Sequence, residues 1–413
     1  MTSLDATELP ATADLVVIGA GVVGLSVARE LRWRRPEASI VVLEAEPAPG
    51  LHASGRNSGV LHAGFYYTAD SLKARLTRDG NRRLTAFCEE EGLPLRATGK
   101  LVVTRNEGEL AGLEELARRG AQNGVPVELV DEAAARAIEP RARTVARALW
   151  SPSTAAVDPA AVMEALTRRA LAEGIVIACS AAFRGRDGRR IDTARGSLEA
   201  GQVVNAAGLY ADRVAQAYGF AQDVRILPFR GAYLYARPEA PSIGVQLYPV
   251  PDLAMPFLGV HLTVTAHGAL KIGPTALPLP WRLAYGVDAP SLRAMSLREM
   301  GEVAGAALDL FRSDPSFRRH ALREAPKLSR HVLVEQAGEL CRDLRVEDFT
   351  TWGRPGIRAQ LYHRRERRLM MDFYLEGDAE SMHVLNAVSP AFTCAFPFAE
   401  LVVDALEDGR PPR

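Results

Sequence analysis

Residues 14–44, DLVVIGAGVVGLSVARELRWRRPEASIVVLE, constrain the fold of this chain more than any other stretch. An apolar run, residues 15–18, leads into Gly19-Ala20-Gly21-Val22-Val23-Gly24. Such a run reads as a strand buried on both faces, and the glycines permit a tight turn and close approach of backbone to a pyrophosphate. Val23, Val27, Ala28 and Leu31 then space the apolar stripe of a helix, and residues 40–43 read as the parallel return strand. The helix opens with unpaired N–H groups and a partial positive charge, which suits phosphate. Glu44 stands twenty residues past Gly24, where a carboxylate accepts hydrogen bonds from an adenosine ribose. A lone glycine motif is weak. Strand, turn, helix, strand and acid in this order predict a dinucleotide site touching Gly19, Gly21, Val23, Gly24 and Glu44.

A second glycine-rich loop follows at once. Residues 47–67, PAPGLHASGRNSGVLHAGFYY, carry Gly50, Gly55, Gly59 and Gly64 with Ser54, Asn57 and Ser58 between them. This run offers backbone N–H groups and small side chains but no period for regular structure. A nicotinamide enzyme has no particular need of it; a flavin, whose ribityl chain and ring extend past the pyrophosphate, does. The expectation moves from NAD to FAD.

Composition narrows the class. Fifty basic and fifty acidic residues cancel, which argues against nucleic acid as a partner, and the RRERR run at 364–368 reads as a solvated loop. Cys88, Cys179, Cys341 and Cys394 form no CxxC or CxxH cluster, so no metal site and no redox dithiol is expected. Residues 1–13 lack a basic n-region and no apolar run is long enough to span a bilayer. The expectation is a cytoplasmic enzyme, with peripheral contact at the inner face of a membrane left open.

Along the chain, helices are expected at 71–91, 107–123, 131–138, 158–173, 295–310 and 315–339. Short strands are expected at 100–104, 175–178 and 370–373, with a turn at Asp187-Gly188. Residues 203–208, VVNAAG, read as a buried strand entering a small-residue turn, with Ala207 and Gly208 beside the cofactor. From about 225 to 280 the pattern becomes antiparallel sheet, with strand-like runs at 231–236, 246–250, 257–264 and 270–273. Residues 351–360, TWGRPGIRAQ, read as an extended loop, and 382–406 as a strand running through NAVSP into an apolar helix. The fold class is α/β with an α+β second domain. A Rossmann-like domain of residues 12–90, 150–215 and 345–410 would carry an inserted substrate domain, 91–149 and 216–344, on a mostly antiparallel sheet.

The stretches RNSGVLHAGFYYTADSLKARL, PFRGAYL, LYPVPDLAMPFLGVHLT, IGPTA and RPGIRAQ carry a resemblance that spans residues 14–405. The chain resembles the FAD-dependent D-amino-acid-oxidase-like superfamily and looks most like the L-2-hydroxyglutarate oxidases and dehydrogenases within it. That resemblance implies noncovalent FAD, oxidation of L-2-hydroxyglutarate to 2-oxoglutarate, and dioxygen or a quinone as electron acceptor. The chain departs from the family pattern at Arg56, where a histidine is usual, and at Thr275, Trp281, Leu283 and Val388. A paralogue acting on another 2-hydroxy acid, an amine or amino-acid oxidase, and a non-catalytic flavin protein associated with tRNA modification are the alternatives.

Oxidising a hydroxy acid on flavin moves a hydride from C2 to N5 while the hydroxyl proton leaves, so the site needs a base and cations for carboxylates. His62 and His261, both in the family-like blocks, are the candidate bases, whereas His267, His320, His331 and His363 read as surface residues. Arg230, Arg282 and Arg358 are candidate carboxylate anchors, with Tyr66, Tyr67 and Tyr248 as hydroxyl donors. Arg56, Asn57, Ser58, Gly356, Arg358, Ser389 and Pro390 complete the residues expected at the flavin. Residues 389–391 would present a helix N-terminus to its pyrimidine edge.

Overall fold

The computed structural model describes residues 8–253, 257–285 and 296–412, and it divides into two compact units. The first comprises residues 1–57, 159–228 and 358–413; the second comprises 58–158 and 229–357. Residues 216–228, expected with the substrate domain, cluster with the first unit, and 58–90, 150–158 and 345–357, expected with the nucleotide domain, cluster with the second. Strand Val60–Leu61 pairs there with Ala155–Val157, and Asn81 Nδ2 donates to the carbonyls of Leu61, His62 and Ser153.

In the first unit, Thr12–Ile18 lies between Ile40–Leu43 and Gly196–Asn205, parallel to both. Val176–Ala178 extends the parallel sheet beyond Ile40–Leu43, and Ser381–Asn386 extends it beyond Gly196–Asn205. Ile40–Leu43 is buried at every position, as a strand covered on both faces must be. Helix Val22–Arg34 packs against helices Pro159–Ala172 and Ala395–Glu407 with the anticipated Val23, Val27, Ala28 and Leu31 buried.

The second unit is built on an eight-stranded sheet. Its order is Phe349–Trp352, Leu234–Ala236, Leu270–Gly273, His261–Val264, Gln246–Pro249, Lys100–Val103, Arg147–Ser151, Glu128–Asp131. Every pairing is antiparallel except Gln246–Pro249 with Lys100–Val103. Successive side chains alternate between faces. One face is apolar: Leu101, Val103, Leu234, Leu247, Leu262, Val264, Leu270 and Ile272 form a core with Leu333, Val334 and Ala337 of helix Arg330–Gly338. The residues alternating with them, Lys100, Val102, Gln246, Tyr248, His261, Thr263 and Lys271, therefore share the opposite face, and all are buried. A buried face this polar must meet polar matter or pay for its desolvation.

Several expected elements are differently bounded, each for a local reason. The run 231–236 breaks at Ala232, whose N–H donates to Thr275 Oγ1 and whose carbonyl accepts from the Thr275 N–H, leaving strands Val224–Gly231 and Leu234–Ala236. The run 257–264 is strand only at His261–Val264, and residues 254–256 of the same block lie outside the described residues. Of the helix expected at 295–310, residue 295 also lies outside them, and the helix spans Leu297–Ser313. The helix expected over 315–339 is three pieces, Pro315–Glu324, a tight turn Ala325–Leu328, and Arg330–Gly338, because Pro326 cannot continue an α-helical ladder. Within 351–360 only residues 353–355 lie outside strands; the rest belong to strands Phe349–Trp352 and Gly356–His363, where the strand-forming side chains outweigh the glycines. Residues 370–373 are not a strand, since side-chain amides take their carbonyls: Gln360 and Asn386 donate to Met370 O, and Asn386 to Asp372 O. The last helix begins only at Ala395, so the Ser389-Pro390 turn precedes it rather than opening it.

Candidate active site and cofactor cradle

In the first unit the glycines are required by space. Gly19 has φ +106°, and a Cβ there would lie 2.5 Å from Ala206 O. A Cβ on Gly24 would lie 1.8 Å from Gly19 O. The turn after Thr12–Ile18 and the Asn205-Ala206-Ala207 turn thus touch backbone to backbone. Asn205 holds the second turn in place: its Nδ2 donates to Ala211 O, and its Oδ1 accepts from the Ala207 N–H. Gly208 follows at φ +54° with open space where a Cβ would stand.

Ser54 Oγ accepts the Val22 N–H at 2.9 Å, which brings the second glycine loop onto the start of the first helix. Glu44 accepts from the Ala20 N–H at 2.8 Å and from the Glu46 N–H at 2.9 Å. Burial raises its pKa, and the two backbone bonds oppose that shift. The charge of Arg56 faces Glu46, and Asn57 Nδ2 donates to Ser54 O at 2.7 Å. Arg358 lies in strand Gly356–His363, and Ser389 and Pro390 follow strand Ser381–Asn386. Of the residues expected at the flavin, Ser58 and Gly356 fall in the second unit; the others fall in the first. A cradle closed to any Cβ at Gly19 and Gly24, a helix N-terminus, and an acid at the strand end fit a dinucleotide pyrophosphate and ribose.

The second unit gathers the candidate chemistry on the polar face of its sheet. The His261 ring stacks on Tyr248 with centroids 3.8 Å apart and planes at 15°. His261 Nδ1 lies 3.0 Å from Gly259 O. A carbonyl only accepts, so Nδ1 carries the proton and Nε2 is the acceptor of the neutral ring. His62 is buried, and burial together with the charge of Lys100 holds its pKa well below the usual value, so the ring is neutral. Tyr248 and Tyr66 are held protonated by burial.

Arg230 Nε is buried without a hydrogen-bond partner among the described residues, and its carbonyl accepts from Thr275 Oγ1. Arg282 is different: its N–H donates to Glu299, whose carboxylate also stands 3.8 Å from its guanidinium. Its charge is matched within the fold. Tyr67 is half-buried, with Lys73 Nζ 5.8 Å from its ring centroid. His267 is exposed and paired with Asp158, and His331 is exposed. His320 is not a surface residue, since its ring stacks on Phe257 at 4.7 Å and its side chain is largely buried. The largely buried His363 side chain likewise departs from that expectation.

Two cations on this face escaped the sequence argument, Lys100 and Lys271, whereas Tyr66, whose hydroxyl has no partner among the described residues, was among its hydroxyl donors. Lys271 Nζ donates to Ser58 O at 3.0 Å and lies 4.5 Å from the Tyr233 ring centroid, with burial lowering its pKa to about 8. The available signal was alternation. KLVV, QLYP, HLTV and LKIG each place polar residues at every second position or at one end, a pattern that a short apolar run conceals.

Residues 14–405 match the model of the FAD dependent oxidoreductase family, and the chain belongs to that family. It is an oxidoreductase with FAD as cofactor. It is 34% identical over 401 residues to the L-2-hydroxyglutarate dehydrogenase of Escherichia coli K12, covering 95% of this chain and 93% of that protein. It is 32% identical to the human mitochondrial L-2-hydroxyglutarate dehydrogenase, covering 95% and 88%. Among solved structures, the L-alpha-glycerophosphate oxidase of Mycoplasma pneumoniae superposes with a TM-score of 0.74 at 19% identity, covering 97% of this chain and 96% of that one. The glycine oxidase of Geobacillus kaustophilus gives 0.72 at 20%, covering 98% and 96%. These two likenesses show a shared fold.

Proposed function

We propose that this protein oxidises L-2-hydroxyglutarate to 2-oxoglutarate. The observation that carries the reading is the buried polar face of the second unit, where an imidazole of fixed tautomer and the Lys100 cation, which has no hydrogen-bond partner among the described residues, both lie against the Tyr248 ring. The names of the relatives from bacteria to animals support the choice of substrate.

When bound, FAD supplies the acceptor for the hydride that leaves C2. Gly19, Gly21, Val23 and Gly24 would hold its pyrophosphate, Glu44 its ribose, and Ser54, Arg56, Asn57, Ser58, Ala207, Gly208, Gly356, Arg358, Ser389 and Pro390 its remaining length. His261 Nε2 takes the hydroxyl proton; Gly259 O steadies the imidazolium that results, and the Tyr248 ring fixes its plane. His62, held neutral, accepts or donates one hydrogen bond to the same hydroxyl and orients it. The Arg230 fork binds a carboxylate. Tyr67 and Tyr248 contribute hydroxyls, and Arg282 braces the wall through Glu299.

Electrons leave to dioxygen or a quinone. Exposed Leu297, Leu308, Leu322 and Leu328, interspersed with Arg298, Arg312, Arg319 and Arg330, favour contact with an anionic membrane surface where a quinone resides. No helix among the described residues is long and apolar enough to cross a membrane. Co-flotation with anionic vesicles and its loss in high salt would support that contact; no flotation would remove it.

The decisive experiment is anaerobic reduction of the purified holoenzyme by a panel of L- and D-2-hydroxy acids, glycine, sarcosine and D-amino acids. Bleaching by L-2-hydroxyglutarate ahead of the others is expected. Bleaching by amines alone would overturn the reading in favour of an amine oxidase.

A further inference from the structure

Lys100 opens strand Lys100–Val103 and is wholly buried at 0% exposure. Its Nζ has no hydrogen-bond partner among the described residues. Aromatic rings wall it instead: Tyr248 at 4.0 Å, Tyr66 at 5.1 Å and Phe65 at 5.8 Å from ring centroid to Nζ. The Tyr66 hydroxyl is a second buried donor without an acceptor among the described residues. The neighbouring polar side chain on this face, Gln246, is fully engaged by Thr98 Oγ1, Val264 O and the Val264 N–H. Buried polar groups ordinarily find a hydrogen-bond partner, so two buried donors side by side without an acceptor among the described residues call for one.

A lysine is a poor choice for filling such a box. Methionine has nearly the same length and no desolvation cost, whereas an ammonium without an acceptor loses more hydration than the ring faces return. Both orphans are donors, and both lie beside Tyr248, on whose ring His261 stacks. What completes the site is an oxyanion with lone pairs for an ammonium and a phenol together.

We propose that Lys100, assisted by the Tyr66 hydroxyl, is a carboxylate-binding residue of the substrate site, supplying a cation for one end of a dicarboxylate. This deepens the reading given above and rests on it for the identity of the substrate. Arg230 and Lys100 are then two cations for two carboxylates. Lys271 already has an acceptor in Ser58 O, and Arg282 has Glu299. Substrate arrival supplies the missing acceptor and raises the charged fraction of Lys100, whose pKa burial otherwise lowers to about 7. Burial, and with it this charge, lowers the pKa of His62.

The test uses the FAD-loaded wild type, K100M, K100R and Y66F. The first readout is binding of glutarate, a dicarboxylate that cannot be oxidised, followed by the change in flavin absorbance. K100M should bind it about thirtyfold more weakly or worse, Y66F should lose less, and K100R should recover part of the affinity. The second readout is anaerobic reduction by L-2-hydroxyglutarate and by L-2-hydroxyvalerate, its five-carbon monocarboxylate counterpart. A loss confined to the dicarboxylate assigns Lys100 to the distal carboxylate; a loss on both assigns it to the one beside the hydroxyl. The third readout is thermal stability, because a lysine that merely glues three rings together would leave K100M less stable. Unchanged glutarate binding in a folded, flavin-loaded K100M overturns the proposal while leaving the oxidation of L-2-hydroxyglutarate intact. Glutarate binding that depends on Lys100 in an enzyme that L-2-hydroxyglutarate fails to reduce overturns the substrate and keeps the anion site.

Discussion

At the scale of single residues, the glycines and the buried lysine make opposite demands on the same physical chemistry. A Cβ at Gly24 meets backbone at 1.8 Å, and no side-chain movement relieves that clash. At Gly21 the nearest atom is Ser54 Oγ at 2.9 Å, the end of a side chain that can turn aside. G24A should therefore purify without flavin, whereas G21A should retain it with weakened affinity, as read from the ratio of flavin to protein absorbance. Retention of full flavin by G24A would refute the cradle. For Lys100 the pH dependence has a definite sign. Its folded pKa of about 7 lies below the ordinary 10.5 of the unfolded chain, so between these values the unfolded state binds more protons. Stability then rises with pH across that window, and the penalty is fully present below it. The groups facing Lys100 are His62, Tyr66 and Tyr248; the histidine is neutral and the phenols titrate far higher. K100M should thus raise the melting temperature of the unliganded enzyme at pH 6 and raise it less at pH 10. Lys271 shifts in the same direction but is common to both proteins, so the comparison cancels it.

The elements carry function through alternation. In strand His261–Val264, Leu262 belongs to the apolar core and its neighbour His261 to the polar face. L262A should cost about 2–5 kcal/mol of stability, measured by denaturant unfolding, and leave the substrate KM near wild type. H261N should do the reverse: little change in unfolding, and a kcat lower by about a hundredfold or more as proton transfer is lost. Equal effects of the two substitutions on both measurements would mean that the sheet does not divide labour between its faces. This alternation also explains which parts of the protein could be read from the chain alone. The fingerprint and its strands were legible because every constraint on them is local: a run, a turn, a stripe, an acid. Helix Leu72–Glu90, with Ser71 as its cap, was legible for the same reason. The polar face was not. Lys100, Gln246 and Lys271 come from strands far apart in sequence, and each looks like the odd polar residue of an apolar run until pairing lines them up. Residues 370–373 and 231–236 misled because Asn386 and Thr275, distant in sequence, claim backbone groups that propensity alone would give to a strand.

For the molecule as a whole, the consequence is that cofactor and substrate chemistry are encoded in different segments. The chain passes between its two units after residues 57, 158, 228 and 357, so the cradle draws on three separate segments of the sequence. None of them can close around a nucleotide alone: Gly19 needs Ala206 against it, and helix Val22–Arg34 needs helix Ala395–Glu407 along its side. Binding of FAD to the folded cradle, and not to the unfolded chain, must then stabilise the fold by mass action. At a free concentration about a hundred times its dissociation constant the gain is about 2.7 kcal/mol. Apoprotein prepared by acid precipitation, which should release free FAD if the flavin is noncovalent, is expected to melt at lower temperature and to recover on titration with FAD. Adenosine diphosphate should recover part of the shift, because the Gly19–Gly24 turn and Glu44 address that half of the cofactor. Glutarate should add its own increment only in the wild type and not in K100M. A melting temperature indifferent to FAD would mean that the three segments close without the nucleotide's help, and the cradle would have to be assigned elsewhere.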